Sequence, residues 1–196
     1  VNKDIHKVIN QLLLYENVGE VIIYTNATIT PKNENLSCLK NKRVLVDITN
    51  YNSLSRNYDK LIEVFDSEGI SYTTKIPKWT DSGRILPHQG KTEKELKEMF
   101  SGCCVNDSLT LLNGNLYRCP FSANATNINA IPYDRNDVIE LGEEIEGDQL
   151  RQKLEQFYND KNYLTACSYC NGRDFNTPDI VPAIQTKKRL PIPVTY

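Results

Sequence analysis

The alternation of apolar and polar stretches in the first half of the chain predicts helices and strands in turn. Apolar residues recur at helical spacing from Ile5 to Leu13, so we predict an amphipathic helix over residues 3–16. Two short runs rich in β-branched residues, at 21–24 and 44–48, are typical of buried strands.

A second helix and a third strand extend this alternation. Apolar residues at Tyr58, Leu61 and Phe65 predict a helix that ends at Gly69, and residues 70–76 predict a strand. Strands joined through helices by short links form parallel sheets with right-handed crossovers. The first half of the chain therefore predicts an α/β fold with a parallel sheet.

The second half of the chain has shorter elements. Thr92 and Glu95 form a capping-box pattern, which predicts a helix that ends at Gly102. The residues at 113–115, Asn-Gly-Asn, lie between apolar runs and predict a β-hairpin. Residues 120–147 show little periodicity and are predicted to be irregular, and a last helix is expected around Leu150, Leu154 and Phe157.

Four of the six cysteines have a spacing typical of a metal or cluster site. Cys104 and Cys119 are separated by a segment with the pattern Cys-x9-Gly-x4-Cys, and Cys167 and Cys170 form a Cys-x2-Cys pair. The predicted hairpin brings Cys104 and Cys119 together at its open end, so two pairs of thiolates can bind one centre. Either an iron–sulfur cluster or a structural zinc ion takes such ligands.

The other two cysteines, Cys103 and Cys38, lie outside this four-cysteine spacing. Cys103 is adjacent to Cys104 and is an alternative ligand in its place, whereas Cys38 lies in an apolar context and is predicted to be buried as a small apolar residue. A disulfide framework is the competing interpretation, since the cysteine count is even and Asn-x-Ser/Thr sequons occur. The chain has no pattern of a signal peptide, and a Cys-x2-Cys pair then favours metal or redox chemistry, in a cytoplasmic protein.

Composition excludes two classes of partner. The chain has 196 residues and a formal net charge of −2, and it has no apolar run of membrane-spanning length. The one basic cluster, at 187–189, is too small to indicate a nucleic-acid interface. We therefore expect neither a nucleic-acid partner nor a membrane partner.

The chain resembles the C-terminal portion of a radical S-adenosylmethionine enzyme. Residues 21–28, ending in Thr-Asn-Ala-Thr, are similar to the family's fourth barrel strand, 46–51 to the fifth and 70–75 to the sixth. The segment Cys104-x9-Gly114-x4-Cys119 is similar to the opening of the SPASM/twitch extension, which binds auxiliary [4Fe–4S] clusters. Because Cys170 is the last cysteine, the pattern resembles the twitch form with one cluster.

The resemblance implies specific roles for several residues. It implies that Cys104, Cys119, Cys167 and Cys170 bind the auxiliary cluster, with Cys103 as the alternative to Cys104. It implies further that Asn26, Asp47 and Arg56 contact the S-adenosylmethionine cofactor.

The resemblance also implies a division into a partial barrel over residues 1–98, a twitch-like domain over 99–176 and an extended proline-rich tail over 177–196. The Cys-x3-Cys-x2-Cys motif of the catalytic cluster and the first three barrel strands do not occur in the chain. The resemblance therefore predicts a C-terminal fragment that is inactive alone. Arg118 and Arg173, which neighbour two cysteines, are expected either to offset the charge of the cluster or to be ordinary surface cations.

The expected function follows from this resemblance. The enzyme would oxidise or modify a substrate by a radical route, with the auxiliary cluster accepting an electron, and would need an electron-donor protein. A sugar or cyclitol and a peptide both fit the family as substrates. The alternative from the residues alone is a non-catalytic module in which the four cysteines hold zinc.

Overall fold

The computed structural model describes residues 3–83, 87, 90–142, 147–160, 162–174 and 176–182. The chain divides into two compact units, residues 1–78 and residues 79–196, called here the first and second units. Among the described residues, none of the helices combines the length and apolar composition that crossing a bilayer requires. Most of the expected tail, residues 183–196, lies outside the described residues.

The first unit alternates helices with strands, as the apolar pattern predicted. Its elements are α1 (Ile5–Leu13), β1 (Val21–Thr25), α2 (Glu34–Ser37), β2 (Val44–Thr49), α3 (Tyr58–Glu68) and β3 (Tyr72–Lys75). The predicted helices and strands are confirmed, and α2 is an addition that the pattern did not indicate. Its four residues are too few to show a helical period.

The three strands form a parallel sheet with the order β1-β2-β3. Val44, Val46 and Ile48 alternate along β2 and are buried, because they face the core of the unit. The opposite face of the sheet includes Ile22 and Tyr24, which are exposed. The expected α/β class with a parallel sheet is confirmed, and within the described residues the sheet is open and closes no barrel.

One apolar cluster holds the first unit together. Phe65 and Leu61 of α3 pack with Ile9 of α1 against the buried face of the sheet, and each is about 1% exposed. Cys38 is buried in the same cluster, as the sequence predicted. Burying a side chain of this size contributes roughly 1.5–3 kcal/mol, so the cluster accounts for much of the stability of this unit.

The second unit is built from shorter elements. They are α4 (Glu93–Ser101), β4 (Thr110–Leu112), β5 (Asn115–Tyr117), α5 (Pro120–Asn127), β6 (Val138–Glu140) and α6 (Gly147–Asn159). Strands β4, β5 and β6 form an antiparallel sheet in that order. A 3₁₀ helix over Thr165–Tyr169 follows α6.

Two local predictions in this unit are confirmed. Thr92 accepts the backbone N–H of Glu95, and the Glu95 carboxylate accepts the backbone N–H of Thr92 at 2.7 Å, so the capping box that begins α4 is complete. The hairpin joins β4 to β5 through Asn113 and Gly114, which both have positive φ. That conformation matches a type I′ turn and explains the choice of residues.

One expectation for this unit needs correction. Residues 120–147 were predicted to be irregular, but they contain α5 and β6, since Pro120 is well placed at the first turn of a helix and β6 pairs with β5. The domain boundary expected at residue 98 stays a prediction, and the compact units of the structure divide after residue 78. Leu96 and Phe100 of α4 are buried in the core of the second unit.

A cysteine-lined cavity as candidate metal centre

The second unit encloses a cavity of about 320 Å³ that is lined by four cysteines. They come from three places in the chain: Cys103 after α4, Cys119 after β5, and Cys167 and Cys170 at the 3₁₀ helix. Apolar residues complete the wall, among them Phe100 and Leu164, which are buried. The fold therefore gathers thiols that are far apart in sequence around one space.

Backbone hydrogen bonds orient the two cysteines of the first pair. The N–H of Cys103 donates to the carbonyl of Phe100 at 3.1 Å, which turns the chain at the end of α4. Cys119 is the N-cap of α5, where its Sγ accepts the N–H of Ser122 at 3.2 Å. The open N-terminus of a helix favours a negatively charged group, so this position suits a thiolate.

The Cys-x2-Cys pair has the same kind of support. Cys167 Sγ accepts the N–H of Leu164 at 3.4 Å, and Cys170 Sγ accepts the N–H of Gly172 at 3.4 Å. Three of the four cavity sulfurs thus accept a backbone N–H. Hydrogen bonds to sulfur stabilise thiolates and tune the potential of any iron–sulfur centre that the thiolates hold.

The adjacent cysteines Cys103 and Cys104 have different positions. Cys103 lines the cavity, and Cys104 is not among the described residues that do so. The N–H of Cys104 donates to the carbonyl of Arg173 at 2.7 Å, which ties the two chain segments together through the backbone. Of the two candidates from the sequence, the structure places the alternative, Cys103, at the cavity.

Burial makes three of the cavity thiols hard to ionise. It raises the pKa of Cys119 to about 11 and that of Cys167 to about 12, and it also raises the pKa of Cys170. The neighbouring thiols Cys170 and Cys103 raise the pKa of Cys119 further. At neutral pH these three thiols therefore keep their protons when no metal is bound, and a metal has to displace those protons on binding.

The cavity brings together four thiols, which are ligands that zinc and iron–sulfur clusters both take. Among the described residues, no three His, Cys, Asp or Glu side chains are arranged to hold one metal ion directly.

Cations near the cavity have separate roles. Arg118 is about 4% exposed, lies between the rings of Phe100 and Phe157, and pairs with Asp160 at 3.4 Å. Its charge is thus neutralised by a carboxylate, and the residue joins α4 to α6. Arg173, by contrast, is exposed and lines the cavity.

Lys91 and Met99 lie beside the same cavity. Lys91 Nζ is 3.3 Å from Met99 Sδ and 3.5 Å from the carbonyl oxygen of Cys170. Met99 and Ser82 line the cavity, and the sequence pattern did not single out Met99. Its apolar position at helical spacing in α4 is the ordinary signal of a core residue.

The three residues expected to contact S-adenosylmethionine lie in the first unit. Asn26 follows β1 and accepts the N–H of Thr28 at 3.3 Å, Asp47 lies in β2, and Arg56 is exposed. The contacts of Asn26 are those of an ordinary Asx turn. No described contact joins Asn26, Asp47 and Arg56.

Asp47 has a less ordinary environment. Its Oδ2 pairs with Lys75 Nζ at 2.7 Å, and Lys75 lies 5.0 Å from the centre of the Tyr24 ring. The other carboxylate oxygen, Oδ1, is buried and has no hydrogen-bond partner among the described residues. A buried acceptor without a donor is costly, so this position favours a ligand with a hydroxyl or amino group.

The fold and the cavity together define an α/β protein of two units with a cysteine-lined centre in the second. Comparison with models of protein families finds no match for the chain, and no curated protein is significantly similar to it in sequence. The function has to be inferred from the site itself and from the residue pattern.

Proposed function

We propose that the second unit is an iron–sulfur domain in which Cys103, Cys119, Cys167 and Cys170 hold one [4Fe–4S] cluster. One observation carries this proposal: four cysteines from three segments of the chain line a single cavity. Cys104 takes a backbone role beside the site, where its N–H bonds the Arg173 carbonyl.

The residues of the chain prepare this site in three ways. The thiols give up their protons when the cluster binds, and backbone N–H groups stabilise three of the resulting thiolates. An apolar wall that includes Phe100 and Leu164 surrounds the buried sulfurs of Cys119 and Cys167. When bound, the cluster supplies one-electron chemistry.

We propose further that the chain is the C-terminal portion of a radical S-adenosylmethionine oxidoreductase or maturase. Support comes from the similarity of its residue pattern to that family and from a parallel sheet whose strands carry the ion pair of Asp47 and Lys75. The substrate would be a sugar, a cyclitol or a peptide, and the enzyme would work in the cytoplasm with an electron-donor protein. S-adenosylmethionine would bind the complete enzyme.

Anaerobic purification with assays of iron and acid-labile sulfide tests the ligand set. About four iron and four sulfide per chain are expected for one [4Fe–4S] cluster. The matched pair Cys103→Ser and Cys104→Ser distinguishes the two adjacent cysteines, and we expect cluster loss only in Cys103→Ser. Cys38→Ala, in the core of the first unit, should leave the iron content unchanged.

Different results would revise the proposal in defined ways. Loss of iron in Cys104→Ser, with retention in Cys103→Ser, would restore the ligand set that the spacing predicted. Stoichiometric zinc in a colourless protein would make the second unit a structural zinc module and withdraw the redox role.

A further inference from the structure

A buried carboxylate lies directly behind the Cys167–Cys170 turn. Asp137, in the short 3₁₀ segment before β6, is about 6% exposed. A carboxylate at this depth is expensive to bury unless hydrogen bonds satisfy it. Its two oxygens do have partners, and both partners belong to the segment that carries the cysteine pair.

The contacts of Asp137 are bidentate. Its Oδ1 accepts the backbone N–H of Thr165 at 3.1 Å, and its Oδ2 accepts the backbone N–H of Ala166 at 3.1 Å. These N–H groups open the 3₁₀ helix over Thr165–Tyr169 and have no partner within it. One carboxylate therefore caps two consecutive donors immediately before Cys167.

A second carboxylate contacts the same turn. Asp134 Oδ2 accepts the hydroxyl of Thr165, while Asp134 Oδ1 accepts the N–H of Asn136 at 2.8 Å. Asp134 thus reaches only a side chain of the turn. Of these two carboxylates, Asp137 is the one that holds the backbone of the turn, and the backbone sets the direction of the next side chain, Cys167.

We propose that Asp137 is a positioning residue for the metal centre: it fixes the turn that presents Cys167 and Cys170 to the cavity. This inference rests on the proposed function. The carboxylate does not touch the thiols; it acts through the peptide groups of Thr165 and Ala166. As a buried negative charge near the site, it also disfavours the reduced, more negative form of a cluster.

The test uses the full chain with its cluster and two substitutions of Asp137. Asp137→Asn retains the size but has one acceptor oxygen, and its amide N–H₂ would face a backbone N–H. Asp137→Glu retains the charge but displaces it by one methylene. Asp59 is an exposed carboxylate in the first turn of α3, and Asp59→Asn is the matched control.

Two measurements separate positioning from general destabilisation. We expect a chelator to remove iron about tenfold faster from Asp137→Asn than from the wild type, as for other residues that orient metal ligands. The midpoint potential of the cluster should rise in Asp137→Asn, because a negative charge is lost. Asp137→Glu should release iron faster as well, with a potential close to that of the wild type.

The outcomes distinguish this inference from the proposed function. Wild-type iron content together with unchanged chelation and potential in both Asp137 variants would overturn the positioning role alone. If Asp137→Asn does not fold, Asp137→Glu decides, and chelation at the wild-type rate would overturn the role. A wild-type chain that binds neither iron nor zinc would overturn the proposed function and this inference together.

Discussion

The two units differ in what their cores are made of. The first unit packs Phe65, Leu61 and Ile9 against a parallel sheet, and its one cysteine, Cys38, is an ordinary member of that cluster. In the second unit, Cys119 and Cys167 belong to the buried core and also line the cavity. The core of the second unit and its proposed metal site therefore share Cys119 and Cys167.

This difference indicates two sources of stability. Strands of five and six residues and an apolar cluster suffice for the first unit. The strands of the second unit have three residues each, which is short for a self-supporting sheet. We infer that the first unit folds through apolar burial, and that the second gains much of its stability from what the thiols bind.

The largest change in stability is expected when a substitution leaves a cavity in the core of the first unit. Phe65→Ala removes a ring that is about 1% exposed and should destabilise the first unit by about 3–5 kcal/mol. Hydrogen exchange should show lost protection in α3 and β2. The iron content of the second unit should stay at the wild-type value.

Phe100→Ala makes the same substitution in the core of the second unit, and the opposite result is expected. Phe100 is buried in the second unit and lines the cavity, so its removal should release iron while protection in α3 persists. Loss of iron in Phe65→Ala at the same level as in Phe100→Ala would contradict the separation of the two cores.

A smaller effect is expected from backbone strain beside the cavity. Gly83 has φ of +110°, and a Cβ there would lie 2.9 Å from the carbonyl oxygen of Tyr169. Gly83→Ala should therefore destabilise the second unit by roughly 1–3 kcal/mol, as measured by denaturant unfolding. Gly19→Ala in the first unit meets no atom within 4 Å and serves as the control. Equal stability losses in both variants would contradict this reading of the Gly83 contact.

The smallest change in stability is expected at the capping box of α4, and it depends on pH. The backbone N–H of Thr92, and then its hydroxyl, lower the pKa of Glu95. The contribution of the ionised carboxylate is therefore present above the unfolded pKa, about 4.3, and is lost as pH falls through the lower folded pKa. Thermal unfolding should show wild type more stable than Glu95→Gln at neutral pH, with the difference vanishing in acid.

Glu98→Gln, in the last turn of the same helix, is the control for that experiment, because Glu98 lies far from the Thr92 donors. A stability difference between wild type and Glu95→Gln that persists unchanged in acid would show that ionisation of Glu95 plays no part.

The fold of the first unit was predictable because its elements are long enough to show a period. The capping box of α4 and the hairpin turn were predictable from local residues. Helix α5 was missed because its Asn-rich sequence has no regular apolar stripe and its cap is the sulfur of Cys119. Strand β6 has three residues, and only its pairing with β5 defines it.

The candidate site was predictable in part for a similar reason. The spacing identified Cys119, Cys167 and Cys170 as members of one group, and all three line the cavity. Spacing cannot distinguish Cys103 from Cys104, since a shift of one residue leaves it almost unchanged. The turn at the end of α4 makes that distinction, and it depends on tertiary contacts. Asp137 had no local signal because its partners are nearly thirty residues away.

The order of the cysteines along the chain also has a consequence in time. Ribosomes add about 5–20 residues per second, so Cys170 is made roughly 3–13 seconds after Cys103. Between the synthesis of Cys119 and that of Cys167, Cys103 and Cys119 are present while both members of the Cys-x2-Cys pair are still missing. Such thiols are open to oxidation or to capture by the wrong metal. Assembly of the proposed four-cysteine centre would therefore be complete only after residue 170 has been synthesised.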